Sequence, residues 1–323
     1  MSLDNMMEQR QASQDFNSAR NRAILSRIKH FMKLDNDNLL SFNDVKEILK
    51  PRNEVYRGMQ EVPINKIIGS EGRYRDFNKY FLPRKEFLRN RWESVDIANI
   101  KDIPLPAIRL YEIGGAYFVR DGNHRVSVAR FQGAEDIDAE VVSLSTEIAI
   151  SPSMTVDDLR AAVIEYEKKD FYGKTAFGKL TGDMDLIFTQ PGRYDEIYDH
   201  ILVYKYYLNQ NKTEELPFAE ALVSWYKNVY CRVIKVIKDE KLCTNFPGRT
   251  QSDLYVWIVQ HWDDLKKENG VHYSIAEAAR DFSEKYGNNT DMTTLGRNFL
   301  GGFFRFLAAI LSRIFRDRRG GRR

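Results

Sequence analysis

Apolar residues at helical spacing open the chain. Ala23, Ile24, Ile28, Phe31 and Met32 predict a helix over residues 6–34 with a basic end at Arg20, Arg22, Arg27, Lys29 and Lys33. A short helix is expected over 41–49, stopped by Pro51. The period then changes. Residues 62–69 predict a short strand ending in a turn at Gly69, and 84–97 a helix opened by Pro83. A strand over 106–111, a hairpin turn at Gly114-Gly115 and a returning strand over 116–119 follow. A short helix over 124–132, closed by Gly133, and a last strand over 137–144 complete this part.

Beyond residue 155 the pattern is helical almost throughout. A start at Thr155 leads to helices over 195–209, 217–242, 250–269 and 274–286. Pro217 suits a first helical position, Ser274 with Glu277 a capping box, and Gly270 and Gly287 helix stops. The fold class expected is α+β: a small mixed domain followed by a mostly α-helical one. The expected divisions are an N-terminal helical segment (1–54), the mixed domain (55–150), the helical domain (151–290) and a basic amphipathic tail (291–323).

Charge sharpens this division. Eight arginines in residues 291–323 stand against Asp291 and Asp317, a net of +6, which leaves residues 1–290 at −3 within the chain's +3. A slightly acidic body is not a general nucleic-acid surface. Cys231 and Cys243 form no C-x-x-C pair, so zinc is not expected and two reduced thiols in a cytoplasmic protein are. No signal-peptide core and no eighteen-residue apolar run occurs.

The chemistry concentrates in Val119-Arg120-Asp121-Gly122-Asn123-His124-Arg125-Val126. An apolar strand runs into a glycine and a helix begins at once. The first helical N–H groups have no partners within the helix, and with the helix dipole they favour an anion. Arg125 in that first turn suits a phosphate, which its planar fork can grip with two bonds. The spacing fits equally a surface turn in which Arg125 pairs with Asp121, and a structural His124.

Asp-Gly-Asn-His-Arg-Val-Ser-Val-Ala-Arg resembles the G-x-x-R-x-x-A segment of ParB-type partition proteins and the G-C-H-R segment of sulfiredoxins. The first strand, Val62-Pro63-Ile64-Asn65-Lys66-Ile67, and the order of elements around it are similar to ParB domains. The resemblance covers about 90 residues. It implies a turn that binds nucleotide phosphates, ATP or CTP with Mg²⁺, through Asp121, Gly122, Asn123, His124 and Arg125. Asn123 stands where sulfiredoxin has its reactive cysteine, so sulfinic-acid repair is not expected. No helix-turn-helix for reading DNA is identified in residues 155–287. The wider chain, including residues 246–257, looks like an uncharacterised bacterial and archaeal group that pairs a ParB-like domain with a helical region and is labelled regulatory.

The loop Gly69-Ser70-Glu71-Gly72-Arg73-Tyr74-Arg75-Asp76 is a second candidate. Arg73 or Arg75 could contact phosphates, and Glu71, Asp76 or His124 could serve catalysis. It reads equally as a solvated loop with internal salt bridges. Gly173-Lys174-Thr175-Ala176-Phe177-Gly178-Lys179-Leu180 lacks the Ser or Thr of a phosphate loop and is set aside. Asp183-Met184-Asp185 reads as a polar turn, and Thr250 with Asp253 as a helix cap. The aromatic residues from Tyr198 to Trp262 read as core. Phe299, Phe303, Phe306, Leu307, Ile310, Leu311 and Ile314 share one helical face, with arginines mostly off it. Residues 297–323 thus fit an anionic membrane surface, a protein partner or the chain's own body.

Three functions stay open at this point. One is a nucleotide-binding regulatory protein associated with DNA or another partner. The second is an NTP hydrolase, kinase or nuclease using the same pocket, and the third a non-catalytic adaptor at a protein or membrane surface.

Overall fold

The computed structural model describes residues 3–33, 38–210, 214–269 and 274–287. The linker at 288–290, the tail at 291–323 and Gly270 lie outside them, as do the side chains of Arg27, Lys29, Phe31, Met32 and Lys33. The chain divides into two compact units, residues 1–163 and 164–323, and the division falls within one helix.

The first unit holds α1 (Leu3–Lys33), β1 (Leu40–Ser41), α2 (Phe42–Leu49), β2 (Glu54–Pro63), β3 (Ile67–Ser70), α3 (Arg89–Ile100), β4 (Ile108–Ile113), β5 (Ala116–Asp121), α4 (Asn123–Gln132) and β6 (Asp136–Leu144). The strands form one mixed sheet in the order β1-β3-β5-β4-β6-β2. β1, β3 and β5 run parallel to their neighbours in that series, whereas β4 and β5 form the expected antiparallel hairpin. Alternate residues of each strand face opposite sides. Leu110, Val119 and Val141 therefore join Phe16, Trp92 and Val126 in one apolar layer. Ile113, Phe118 and Leu144 join Phe42, Val45 and Leu159 in the other. Trp92 anchors the first layer: Phe16 and Phe131 meet it edge-on at 5.6 Å, and its Nε1–H donates to Ser127 Oγ at 2.9 Å.

Four expectations change. Residues 1–54 are not a separate segment, since β1 enters the sheet and Phe16 and Ala19 sit in its core. Residues 62–69 are not one strand: a 3-10 turn at Ile64–Lys66 separates β2 from β3. Gly69 lies inside β3 rather than in a turn, because a Cβ there would come within 2.4 Å of Leu40 O and of the Phe118 ring. Pro83 does not open α3; it bridges back to Phe77, and the helix starts six residues later after a 3-10 turn.

In the second unit α5 (Val156–Thr175) is completed, and α6 (Phe177–Thr181), α7 (Arg193–Asn209), α8 (Phe218–Trp225), α9 (Cys231–Asp239), α10 (Gln251–Asn269) and α11 (Ile275–Tyr286) follow. Trp225, Trp257, Tyr204 and Tyr255 are wholly buried, as the aromatic pattern predicts, while Tyr206 is exposed; Tyr194, outside that pattern, is buried too. Asp253 caps α10 with Thr250 and also accepts from Thr189 N and Oγ1. Gly173 to Leu180 falls on the end of α5 and on α6, with no strand before it. Between α8 and α9 the helix widens into a π turn, Tyr226–Tyr230. Among the buried residues around it, Leu222, Trp225, Val229, Val233 and Ile237 follow one another at gaps of three, four, four and four residues, slightly longer than the ordinary helical repeat. The extra residue wound into the π turn keeps them on one face. No described helix is long and apolar enough to cross a membrane.

Asp96 on α3 is wholly buried. Burial raises its pKa to about 6; Gln132 opposes this by a hydrogen bond, and Asp15 and Glu93 reinforce it. The native state therefore binds this proton more tightly than the unfolded chain. Its contribution is greatest below pH 4 and is lost as pH rises through about 6. Asp96→Asn is expected to raise stability at pH 7.5 by up to about 3 kcal/mol and to flatten the pH dependence between 4 and 6, read by urea denaturation.

Candidate functional site

Three parallel strands end side by side. Ser41 pairs with Ser70, and Ser70 with Val119. One edge of the sheet therefore releases α2, the loop after β3 and the turn from β5 into α4. Ligand crevices in parallel sheets form outside such carboxyl ends.

Gly122 is the N-cap of α4, at φ +104°, and no side chain caps the helix there. A Cβ would stand 2.5 Å from Ile108 Cγ2, so both conformation and space require glycine. Asn123 is 8% exposed, and its Oδ1 is buried without a hydrogen-bond partner. His124 Nε2 is also buried and unpartnered. Its ring meets Phe77 edge-on at 5.6 Å. Burial, then Arg73 and Arg91, pull the imidazole pKa down to about 4 against the opposing pull of Asp76. His124 is therefore neutral at pH 7.

The loop after β3 is held firmly beside this turn. Arg73 N donates to Ser70 Oγ at 3.2 Å, and Asn78 Oδ1 accepts from Tyr80 N and Leu82 N at 3.0 and 2.9 Å. Ser127 Oγ on α4 donates to Phe81 O at 2.5 Å. Within the loop the Asp76 carboxylate lies between Arg73 at 3.2 Å and Lys85 at 2.8 Å.

The candidates divide accordingly. Gly122, Asn123, His124, Arg73 and Asp76 come together. Arg125 instead pairs with Asp121 at 2.5 Å and donates to the carbonyls of Pro106 and Ala107. It braces the segment leading into β4, the local pairing left open by spacing alone. Arg75 lies over the Tyr74 ring at 5.4 Å. Glu71 donates its N–H to Val119 O at 3.0 Å, and its carboxylate acts on Lys46 of α2. Arg91 and Lys85 join the group unannounced by any motif, since α3 and its approach carry no local signature. Among the described residues no three His, Cys, Asp or Glu side chains gather to hold a metal ion.

The turn lines neither of two cavities found among the described residues. A cavity of about 1160 Å³ in this unit sits at the amino end of β3 and the last turn of α4, lined by Ile64, Ile67 and Arg130. A second, of about 670 Å³, belongs to the helical unit and is lined by Asp183, Tyr226, Cys231 and Arg249. Compared with known proteins, the chain matches no family model, no curated protein and no solved structure.

Two outcomes are expected here. In ¹H–¹⁵N spectra the His124 ring titrates near pH 4, and its midpoint rises by about a unit or more when inorganic phosphate saturates the turn, because an anion favours the imidazolium. The Gly122→Ala variant loses about 2 kcal/mol of stability or more in denaturation, from the left-handed backbone and the clash with Ile108.

Proposed function

We propose that the first unit is a phosphate-binding module in the manner of the ParB/sulfiredoxin superfamily, taking a nucleoside triphosphate, and that the protein is regulatory. One observation carries this reading. At an uncapped helix N-terminus, Asn123 and His124 keep buried polar atoms without partners, within reach of the charges of Arg73 and Arg91. A buried polar atom left unpaired costs about 1–3 kcal/mol. A phosphate would accept from the free amides of α4 and from neutral His124. The Asn123 amide, whose oxygen and nitrogen are interchangeable by a half-turn, would donate to it as well. Mg²⁺ would arrive on the phosphates, held chiefly by them and by water.

Binding without turnover is favoured by the state of the carboxylates. Asp76 is shared between Arg73 and Lys85, so its oxygens are already engaged by cations, and Glu71 lies within the influence of Lys46. The Arg125 fork is occupied by Asp121 and two carbonyls, so Arg73 and Arg91 are the cations assigned to the phosphates.

The test is calorimetric titration of ATP, CTP and GTP with Mg²⁺ into wild type, Arg73→Ala and Arg91→Ala, with orthophosphate release followed in parallel. Saturable binding is expected for wild type, weakened roughly tenfold in each variant, as the loss of a charge-assisted bond requires. No binding by wild type would refute the reading, and sustained phosphate release would move the site to the phosphotransferase or hydrolase class.

A further inference from the structure

The cavity at the amino end of β3 does not belong to the phosphate turn: none of Gly122, Asn123, His124 or Arg125 lines it. It holds an arginine in an unusual electrostatic state. Arg130, in the last turn of α4, donates to the carbonyls of Lys79, Ile64 and Ile67 at 3.1, 2.6 and 2.9 Å and lies over the Phe81 ring at 5.3 Å. No described carboxylate pairs with it. Burial pulls its pKa down to about 10, with no charge partner restoring it. Carbonyl dipoles and the carboxyl end of the helix compensate part of the charge, but a half-buried cation without a counter-ion is a standing electrostatic deficit.

A second arginine lines the same cavity. Arg22 of α1 lies over the Phe131 ring at 5.0 Å and has no described carboxylate partner either. Glu135 and Asp136 line the cavity too, and neither pairs with an arginine among the described residues. The remaining wall is mixed: Ile64, Ile67, Leu82 and Met154 form an apolar part of it, beside polar Asn65, Lys79 and Ser153. Cavities of about 300–1,000 Å³ enclose ligands of drug size, so 1160 Å³ admits an apolar body as well as a charged head.

We propose that this cavity binds a small organic anion with an apolar body, its carboxylate or phosphate-ester head on Arg22 and Arg130 and its body against Ile64, Ile67, Leu82 and Met154. The Arg22 fork matches either head with two parallel bonds, while Arg130, whose Nη atoms donate to carbonyls, adds its uncompensated charge. An inorganic anion alone leaves the apolar wall wet, and a neutral chain leaves the arginines uncompensated. The site is independent of the nucleotide reading.

The experiment titrates the full chain with octanoate, octyl phosphate, octanol and inorganic phosphate by calorimetry. Wild type is compared with Arg22→Gln and with Arg130→Lys, which keeps the charge and loses the fork, and circular dichroism checks each fold. One-to-one binding of at least one octyl anion is expected, tenfold or more tighter than octanol or inorganic phosphate. Arg22→Gln is expected to weaken that anion tenfold or more and to leave octanol unchanged. The stronger of the two octyl anions identifies the head. Octanol binding as tightly as both anions, equal anion binding by wild type and Arg22→Gln, or no saturable binding of either anion would each overturn the proposal.

Discussion

The parallel pairing of β3 with β5 is the constraint from which the first unit follows. It needs a strand that tolerates a backbone on one side and an aromatic ring across it. Gly69 meets both demands, with Leu40 O and the Phe118 ring where a Cβ would be. Ser70, wholly buried, then joins the strand end to both neighbours: its Oγ donates to Val119 O and accepts from Arg73 N. A slip of one residue in this register would turn Ile67 and Ile68 to the wrong layers. It would also part the loop after β3 from the turn after β5.

Within this frame, arginines of one chemical type serve different ends because their surroundings differ. Arg125 has a carboxylate and two carbonyls, and acts as a brace. Arg73 shares Asp76 with Lys85, so it is held in place with its charge partly uncommitted. Arg130 has carbonyls but no anion. A fork satisfied by carbonyls is fixed in direction without being neutralised, which is the state in which a cation attracts a ligand most strongly. α4 therefore presents two positive regions, one at each end: a backbone one at Gly122 and a side-chain one at Arg130.

Much of the framework was legible because it rests on local rules. The Gly114-Gly115 hairpin, the start of α4 after Gly122, the cap of α11 at Ser274 and the aromatic core of the helical unit follow from turn chemistry and spacing. β2 was not legible: its burial is almost nil along Glu54–Glu61, so no alternation marks it, and only pairing with β6 makes it a strand. β1, two residues long, exists only because β3 lies beside it. The site divides the same way. The Gly122 turn is written in adjacent residues, and spacing left the local pairing of Arg125 with Asp121 open beside phosphate binding, whereas the nearness of Arg91 depends on tertiary packing. A fork that suits phosphate suits a carboxylate four residues earlier just as well.

The π turn at Tyr226–Tyr230 carries a further implication for the helical unit. Each residue of a helix advances the side-chain direction by about 100°. A single-residue deletion between Tyr226 and Tyr230 would restore ordinary winding and keep the downstream faces in place, whereas the same deletion elsewhere in these helices would rotate everything beyond it by that angle. In the second case Val233 and Ile237, now buried, would swing toward solvent, and Lys235 or Lys238 toward the core. Chain length in the flanking helices is therefore a phase setting, and the π turn is where a change of one residue can be absorbed.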